Sequence, residues 1–188
     1  MPSSDPMTIP KVLSAVKSIS PNSILDVGVG NGRYGFLFRE CLDWNYGRIN
    51  KRYWNTVIEG VEVEKNYLTD IHKYCYDNVI IGDWLEVSID NLYDLVFMGD
   101  VLEHWPDGEW QLALNKAIGI SKATIVVCPN CKESMSQEAW YGYERERHRV
   151  VLSPKLVGGQ CLFANSKVFM CAFDNHDLGF FDSKDICL

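Results

Sequence analysis

Three glycines within five residues, directly behind a short apolar run, constrain this chain more than any other feature. Ser23-Ile24-Leu25-Asp26-Val27 leads into Gly28-Val29-Gly30-Asn31-Gly32, and helical spacing of Tyr34, Phe36, Leu37, Phe38 and Cys41 follows. Glycine tolerates the positive φ of a tight turn and lets a ligand come up against the backbone. Strand, glycine turn and helix in that order put the turn at the carboxyl edge of a parallel sheet, beside a helix N-terminus.

The alternation continues down the chain. Residues 55–63 read as a second strand, and 64–74 as a helix with Tyr67, Leu68 and Ile71 on one face. Residues 78–81 form a third strand, stopped by Gly82-Asp83, and 93–98 a fourth. A helix over 106–120 turns Trp110, Leu114, Ala117 and Ile118 inward, and 123–128 is a fifth strand. Near-continuous apolar strands separated by helices predict an α/β fold, a parallel sheet covered on both faces. Ahead of it, 10–19 carries Val12, Leu13 and Val16 at helical spacing, and 1–10, with its Pro and Ser, reads as a flexible lead-in.

Beyond Pro129 the texture changes. Residues 130–150 are polar and aromatic without a clean period, and Ser153-Pro154 marks a helix start. Two apolar stretches, 167–173 and 178–181, flank Asp174-Asn175-His176-Asp177 and predict an antiparallel hairpin closing the sheet. The 188 residues suit one domain spanning 1–188.

Charge narrows the partners. The formal net charge is −7, and the basic stretches 48–52 and 145–149 are short and interrupted, so both read as solvated loops. Nucleic acid is therefore disfavoured as a partner and a small molecule favoured. No apolar run is long enough to span a bilayer, and seven cysteines without framework spacing suit a cytoplasmic protein. Cys128 and Cys131 form a single CxxC with no second pair. Because Cys128 ends the run Thr124-Ile125-Val126-Val127, it reads as a buried strand residue, and no metal site is expected.

Four signals carry the chemistry. Asp26 precedes a G-x-G-x-G loop, which suits a cationic amino-acid head group better than a pyrophosphate. Glu62, next to Val63 at the end of the second strand, can accept hydrogen bonds from both hydroxyls of a ribose. Asp83 can accept an adenine amine, and Trp84 can stack on the ring. The last signal is the run from Tyr93 through Met98-Gly99-Asp100 to Val101-Leu102-Glu103-His104.

Taken in order, residues 23–128 resemble the class I S-adenosylmethionine-dependent methyltransferases, especially those with a strand followed by Asp-Val-Leu-Glu-His, a group that includes ubiquinone-biosynthesis O-methyltransferases. The resemblance implies a Rossmann-like three-layer sandwich with a mostly parallel seven-stranded sheet. It implies S-adenosyl-L-methionine as cofactor and S-adenosyl-L-homocysteine as product. Asp26, Gly28, Gly30 and Gly32 resemble the loop that holds the methionine moiety, Glu62 the ribose acid, and Asp83 with Trp84 the adenine pair. Met98, Gly99 and Asp100 resemble the stretch under the cofactor. Glu62 stands where Asp is more usual, and 47–55 is longer and more basic than a minimal loop.

His104 is the candidate general base, with a helix-start histidine held by Glu103 or the backbone as its alternative. Trp140, Tyr143, His148 and Arg149 are candidate acceptor contacts, since they follow the fifth strand and emerge at the ligand edge. An ordered surface loop is the other reading of that segment. Three functions stay open: methyl transfer to a small molecule, nicotinamide-dependent oxidoreduction, and non-catalytic binding of S-adenosylmethionine.

Overall fold

Apolar strands this continuous must be covered on both sides, and they are. A computed structural model describes residues 5–130 and 143–181. In chain order it runs α1 (Ile9–Ile19), β1 (Ser23–Val27), α2 (Arg33–Leu42), β2 (Val57–Glu62), α3 (Asp70–Cys75), β3 (Asn78–Ile81), β4 (Tyr93–Gly99), α4 (Glu109–Gly119), β5 (Ser121–Pro129), α5 (Pro154–Val157), β6 (Gln160–Ala164) and β7 (Val168–Asp174). The strands form one seven-stranded sheet in the order β3-β2-β1-β4-β5-β7-β6. β3, β2, β1, β4 and β5 are parallel, and β7 runs antiparallel to both β5 and β6. This is the α/β architecture expected from the alternation. From β1 the chain winds outward through β2 to β3 and then returns to β4 on the other side of β1. The sheet therefore opens a crevice at the carboxyl ends of β1 and β4, where such folds bind ligands.

Side-chain alternation divides the core in two. Ile24, Ile58, Leu95, Phe97 and Ile125 face α1, α2 and Tyr76. Leu25, Val61, Val96, Met98 and Val126 face α4, with Trp84 and Trp110 packed among them. Ser153 caps α5 as its sequence predicts, its Oγ accepting from the Leu156 amide at 3.3 Å.

Three expectations are corrected. The helix expected over 64–74 is a 3-10 turn, Lys65–Tyr67, an extended Leu68, and only then α3. Ile71 is exposed, and His72 and Cys75 are the buried positions, because the Thr69 amide donates to His72 Nδ1 and starts a new helix out of phase with the first turn. The closing hairpin lies one element earlier than expected, between β6 and β7. Asn165 Oδ1 accepts from the amides of Lys167 and Val168 and makes its turn. Residues 178–181 are not a strand. The Asp174 carboxylate takes the amides of Leu178 and Phe180 and curls them back. Finally, residues 5–10 are no loose lead-in: Asp5 caps a 3-10 turn, Pro6–Thr8, and Thr8 is buried with its hydroxyl 3.3 Å from that of Tyr34.

The basic stretch 48–52 has structural work. Arg48 Nε pairs with Asp43 at 2.9 Å, and Lys51 Nζ donates to the carbonyls of Tyr74, in the last turn of α3, and Tyr76 just after it. Beneath them Arg39 is fully buried. It donates to the carbonyls of Cys75 and Thr56, pairs with Asp43 and Asp77, and lies 4.3 Å over the Trp54 ring.

Candidate functional site

The glycine loop turns away from β1 by crossing to β2: the amides of Gly28 and Val29 both donate to the Val61 carbonyl, at 2.8 and 3.3 Å. Gly28 has φ +77°, and a Cβ there would stand 2.5 Å from Val101 Cγ2. No side chain fits at that position, and the loop is pressed against the segment after β4. The Gly30 amide donates to Glu62 Oε2, and the Glu64 amide to Glu62 Oε1, both at 2.9 Å. Glu62 thus ties the loop to the end of β2. Burial raises its pKa, opposed by the amides of Glu64, Gly30 and Val63 and helped by the Glu146 charge.

Two residues under the loop gave no signal in the sequence. His72 Nδ1 accepts from the Thr69 amide at 3.0 Å, so its proton sits on Nε2, which donates to the Gly30 carbonyl at 3.0 Å. Burial holds this ring neutral by lowering its pKa. Beside it the Tyr76 hydroxyl donates to Asp26 Oδ2 at 2.5 Å and accepts from the Gly35 amide at 3.1 Å. Tyr76 reaches α2 because Gly35 lacks a side chain: a Cβ there would lie 2.3 Å from its ring. Burial drives the Asp26 carboxyl up to about 7, with the Tyr76 hydrogen bond pulling the other way and Glu62 adding to the rise.

At the carboxyl edges of β1, β2 and β4 lies a cavity of about 520 Å³, inside the range of small-molecule sites. Residues 143–149 run across its mouth. The Tyr143 ring packs edge-on against Tyr67 at 5.6 Å, and the Tyr67 hydroxyl donates to Glu146 at 2.7 Å. Arg145 pairs with Asp83 at 2.5 Å, and the Arg149 amide donates to the Glu103 carbonyl at 2.8 Å. His104 closes a 3-10 turn, Leu102–His104, at the cavity wall. Its Nδ1 faces the Arg147 carbonyl at 3.2 Å and must carry the proton there, leaving Nε2 with the lone pair. Burial lowers the pKa of this ring, so it is neutral near pH 7. The rings of His104 and His148 are 5.1 Å apart, and burial followed by the neighbouring His104 pushes His148 down to about 4.

Of the residues singled out in the sequence, Gly28, Gly30, Glu62, Val63, Asp83, Trp84, Gly99, Asp100, His104, Tyr143 and Arg149 border this one cavity. Others do not. Asp26 is buried beneath the loop with Tyr76, so it supports the loop and offers no open carboxylate. Gly32, with φ +79°, caps α2. Met98 is fully buried on the α4 face, because strand alternation turns it away from the crevice. Trp84 touches the cavity but is 2% exposed. Its indole donates to the Ala113 carbonyl at 3.0 Å and Lys116 lies over its ring, so the stacking face expected of it is already covered by α4. His148 stands behind His104, and Trp140 and Cys131 lie outside the described residues. Cys128 is fully buried in β5, as its β-branched neighbours imply. Tyr67, Arg145 and Glu146 also line the cavity. Nothing in their sequence spacing marks them, since only the fold brings 67 and 143–146 together.

No protein-family model and no curated protein matches the sequence. Solved structures do match its fold. An O-methyltransferase family protein from Burkholderia thailandensis superposes with a TM-score of 0.60 at 11% identity, over 88% of this chain and 55% of that one. The chain thus spans little more than half the length of that protein. The N-terminal domain of EvdMO1, solved with S-adenosylhomocysteine bound, gives 0.60 at 13% identity over 90% of this chain and 80% of that one. The methyltransferase domain of a bacterial Hen1, CtHen1-C, gives 0.57 at 16% identity over 88% and 95%. The chain shares the Rossmann-like fold of class I methyltransferases.

Proposed function

We propose that this chain is an S-adenosylmethionine-dependent methyltransferase acting on a small-molecule acceptor. The observation that carries the reading is convergence. A loop too tight for any side chain at Gly28, a carboxylate at the end of β2 and another after β3 all border one cavity at the sheet's switch point. Those groups match the parts of the cofactor. The helix start behind Gly32 suits its carboxylate, Glu62 its ribose hydroxyls, and Asp83 its adenine amine. A structural neighbour holding S-adenosylhomocysteine supports the same choice.

When bound, the cofactor supplies an activated methyl group. The chain's own contribution is to orient the acceptor against it and exclude water. Gly99 and Asp100 form the floor, and residues 143–149 cover the mouth. At the cavity wall His104 is a neutral ring, the state a proton acceptor needs. Tyr143 and Arg149 flank the same space.

Calorimetric titration with S-adenosylmethionine and S-adenosylhomocysteine tests this. Micromolar binding, about −8 kcal/mol, is expected, and it should be lost in Gly28→Val and weakened in Glu62→Ala. Binding of NADH in place of both ligands would transfer the site to nicotinamide chemistry. Tight binding without methyl transfer to any acceptor in a broad panel would make the chain a binding module.

A further inference from the structure

His72 lies behind the glycine loop, outside the cavity that the loop borders, and the cofactor reading gives it no part. It is the third residue of α3 and 3% exposed. Both of its ring nitrogens are engaged, for different ends. Nδ1 accepts from the Thr69 amide at 3.0 Å and so caps the first turn of α3. Nε2 donates to the Gly30 carbonyl at 3.0 Å, 42 residues back along the chain. A helix start needs only the first bond, and asparagine, aspartate or serine supplies it with a shorter side chain. The second bond does nothing for α3. The ring comes close to the loop: a Cβ on Gly32 would stand 3.2 Å from Nε2, tighter than an ordinary contact, so the bare backbone there makes room for it. It also stacks on Tyr76, with centroids 5.7 Å apart and planes at 17°.

Gly30 is clamped at both of its polar groups. Its amide donates to Glu62 Oε2 at 2.9 Å, and its carbonyl accepts from His72. Its φ is +52°, and a glycine backbone left to itself moves readily between conformations. The peptide plane held by His72 joins Gly30 to Asn31, and both residues border the cavity. We infer that His72 is a positioning residue for the proposed cofactor: its Nε2–H fixes the Gly30–Asn31 peptide before the ligand arrives, so the loop is ordered at folding and not at binding. Ordering a loop in advance removes that cost from the binding step. The inference rests on the cavity being the S-adenosylmethionine site.

Only the tautomer with its proton on Nε2 can do this, and the Thr69 amide selects it, because Nδ1 must keep its lone pair to accept. Helix cap and cofactor loop are therefore joined through one ring: the start of α3 sets the tautomer, and the tautomer sets the loop. The two roles separate chemically. The side-chain oxygen of asparagine can take the place of Nδ1, and the amide nitrogen of glutamine that of Nε2. His72→Asn thus keeps the cap and loses the loop bond, whereas His72→Gln keeps the loop bond and loses the cap.

Three measurements on the full chain and both variants test this: calorimetric titration with S-adenosylhomocysteine, thermal unfolding, and hydrogen exchange of the loop amides without ligand. His72→Asn is expected to weaken binding by about 3–10-fold, the range for one lost neutral hydrogen bond, and to speed exchange across residues 28–33. His72→Gln is expected to restore both affinity and exchange to near the parent values. It should nevertheless melt about 2–4 °C below His72→Asn, because it is the variant without the cap. A purely structural histidine would instead make affinity follow stability. Equal weakening in the two variants, or weakening in neither, overturns the inference. Absence of S-adenosylhomocysteine binding by the parent chain, with loop exchange still faster in His72→Asn alone, would sink the methyltransferase reading and leave the hold of His72 on the loop standing.

Discussion

At the residue scale, the least expected feature is a carboxyl group that is more stable protonated. Asp26 has a pKa of about 7 in the folded chain against 3.8 ordinarily. Between those two values the native state keeps a proton that the unfolded chain has released, so this group lowers stability as pH rises through the window. The full effect is on the order of 4 kcal/mol. Asp26→Asn removes the titration. Relative to the parent chain, the variant should therefore gain unfolding free energy between pH 4.5 and pH 8, measured by urea denaturation at both. A difference that does not change with pH would show that Asp26 is ionised in the folded protein throughout. The sequence marks Asp26 as a ligand group because it precedes the glycines. Tyr76, fifty residues away, is what turns it into a support.

At the element scale, the segment 143–149 decides how closed the cavity is. It reaches Tyr67 after β2, Asp83 after β3 and Glu103 after β4. The Arg145–Asp83 pair is partly exposed, at 59% and 24%, so it contributes only about 0–1 kcal/mol to folding. Arg145→Ala is expected to leave the melting temperature almost unchanged and to speed dissociation of S-adenosylhomocysteine severalfold. Stopped-flow displacement measures that rate. An unchanged dissociation rate would mean that the strap does not retain the ligand. Sequence reading found the strap's position after β5 but not its contacts, because a stretch without period carries no record of what it packs against.

At the scale of the whole molecule, one buried cation fastens three elements. Arg39 in α2 reaches Asp43 at the end of its own helix, the Thr56 carbonyl before β2 and Asp77 before β3. Breaking such a buried pair by removing one partner costs about 3–5 kcal/mol, a large share of the roughly 5–15 kcal/mol by which a domain is stable. Arg39→Met is expected to lower the denaturation midpoint by that amount, or to prevent folding at 37 °C. A loss below about 1 kcal/mol would show the cluster to be dispensable. Among the described residues no helix is long and apolar enough to cross a membrane.

Local pattern by itself determined a good deal. Apolar runs predicted β1, β3, β4 and β5 to within two residues at either end, since a strand buried on both faces has little choice but to be apolar. The glycine loop and the acids after β2 and β3 were legible for a related reason: each stands at a strand's carboxyl end, and the parallel arrangement carries all of those ends to one edge. Tertiary structure alone decided the rest. Alternation along β4 hid Met98, packing on α4 covered Trp84, and the missing side chain of Gly35 admitted Tyr76 to Asp26. The meeting of Glu103 and His104 with His148 across 44 residues was likewise settled by the fold. Periodicity records which face of an element is apolar. It does not record which distant side chain will occupy the space beside it, and in this protein that decides both the burial of Asp26 and the Glu103 cluster.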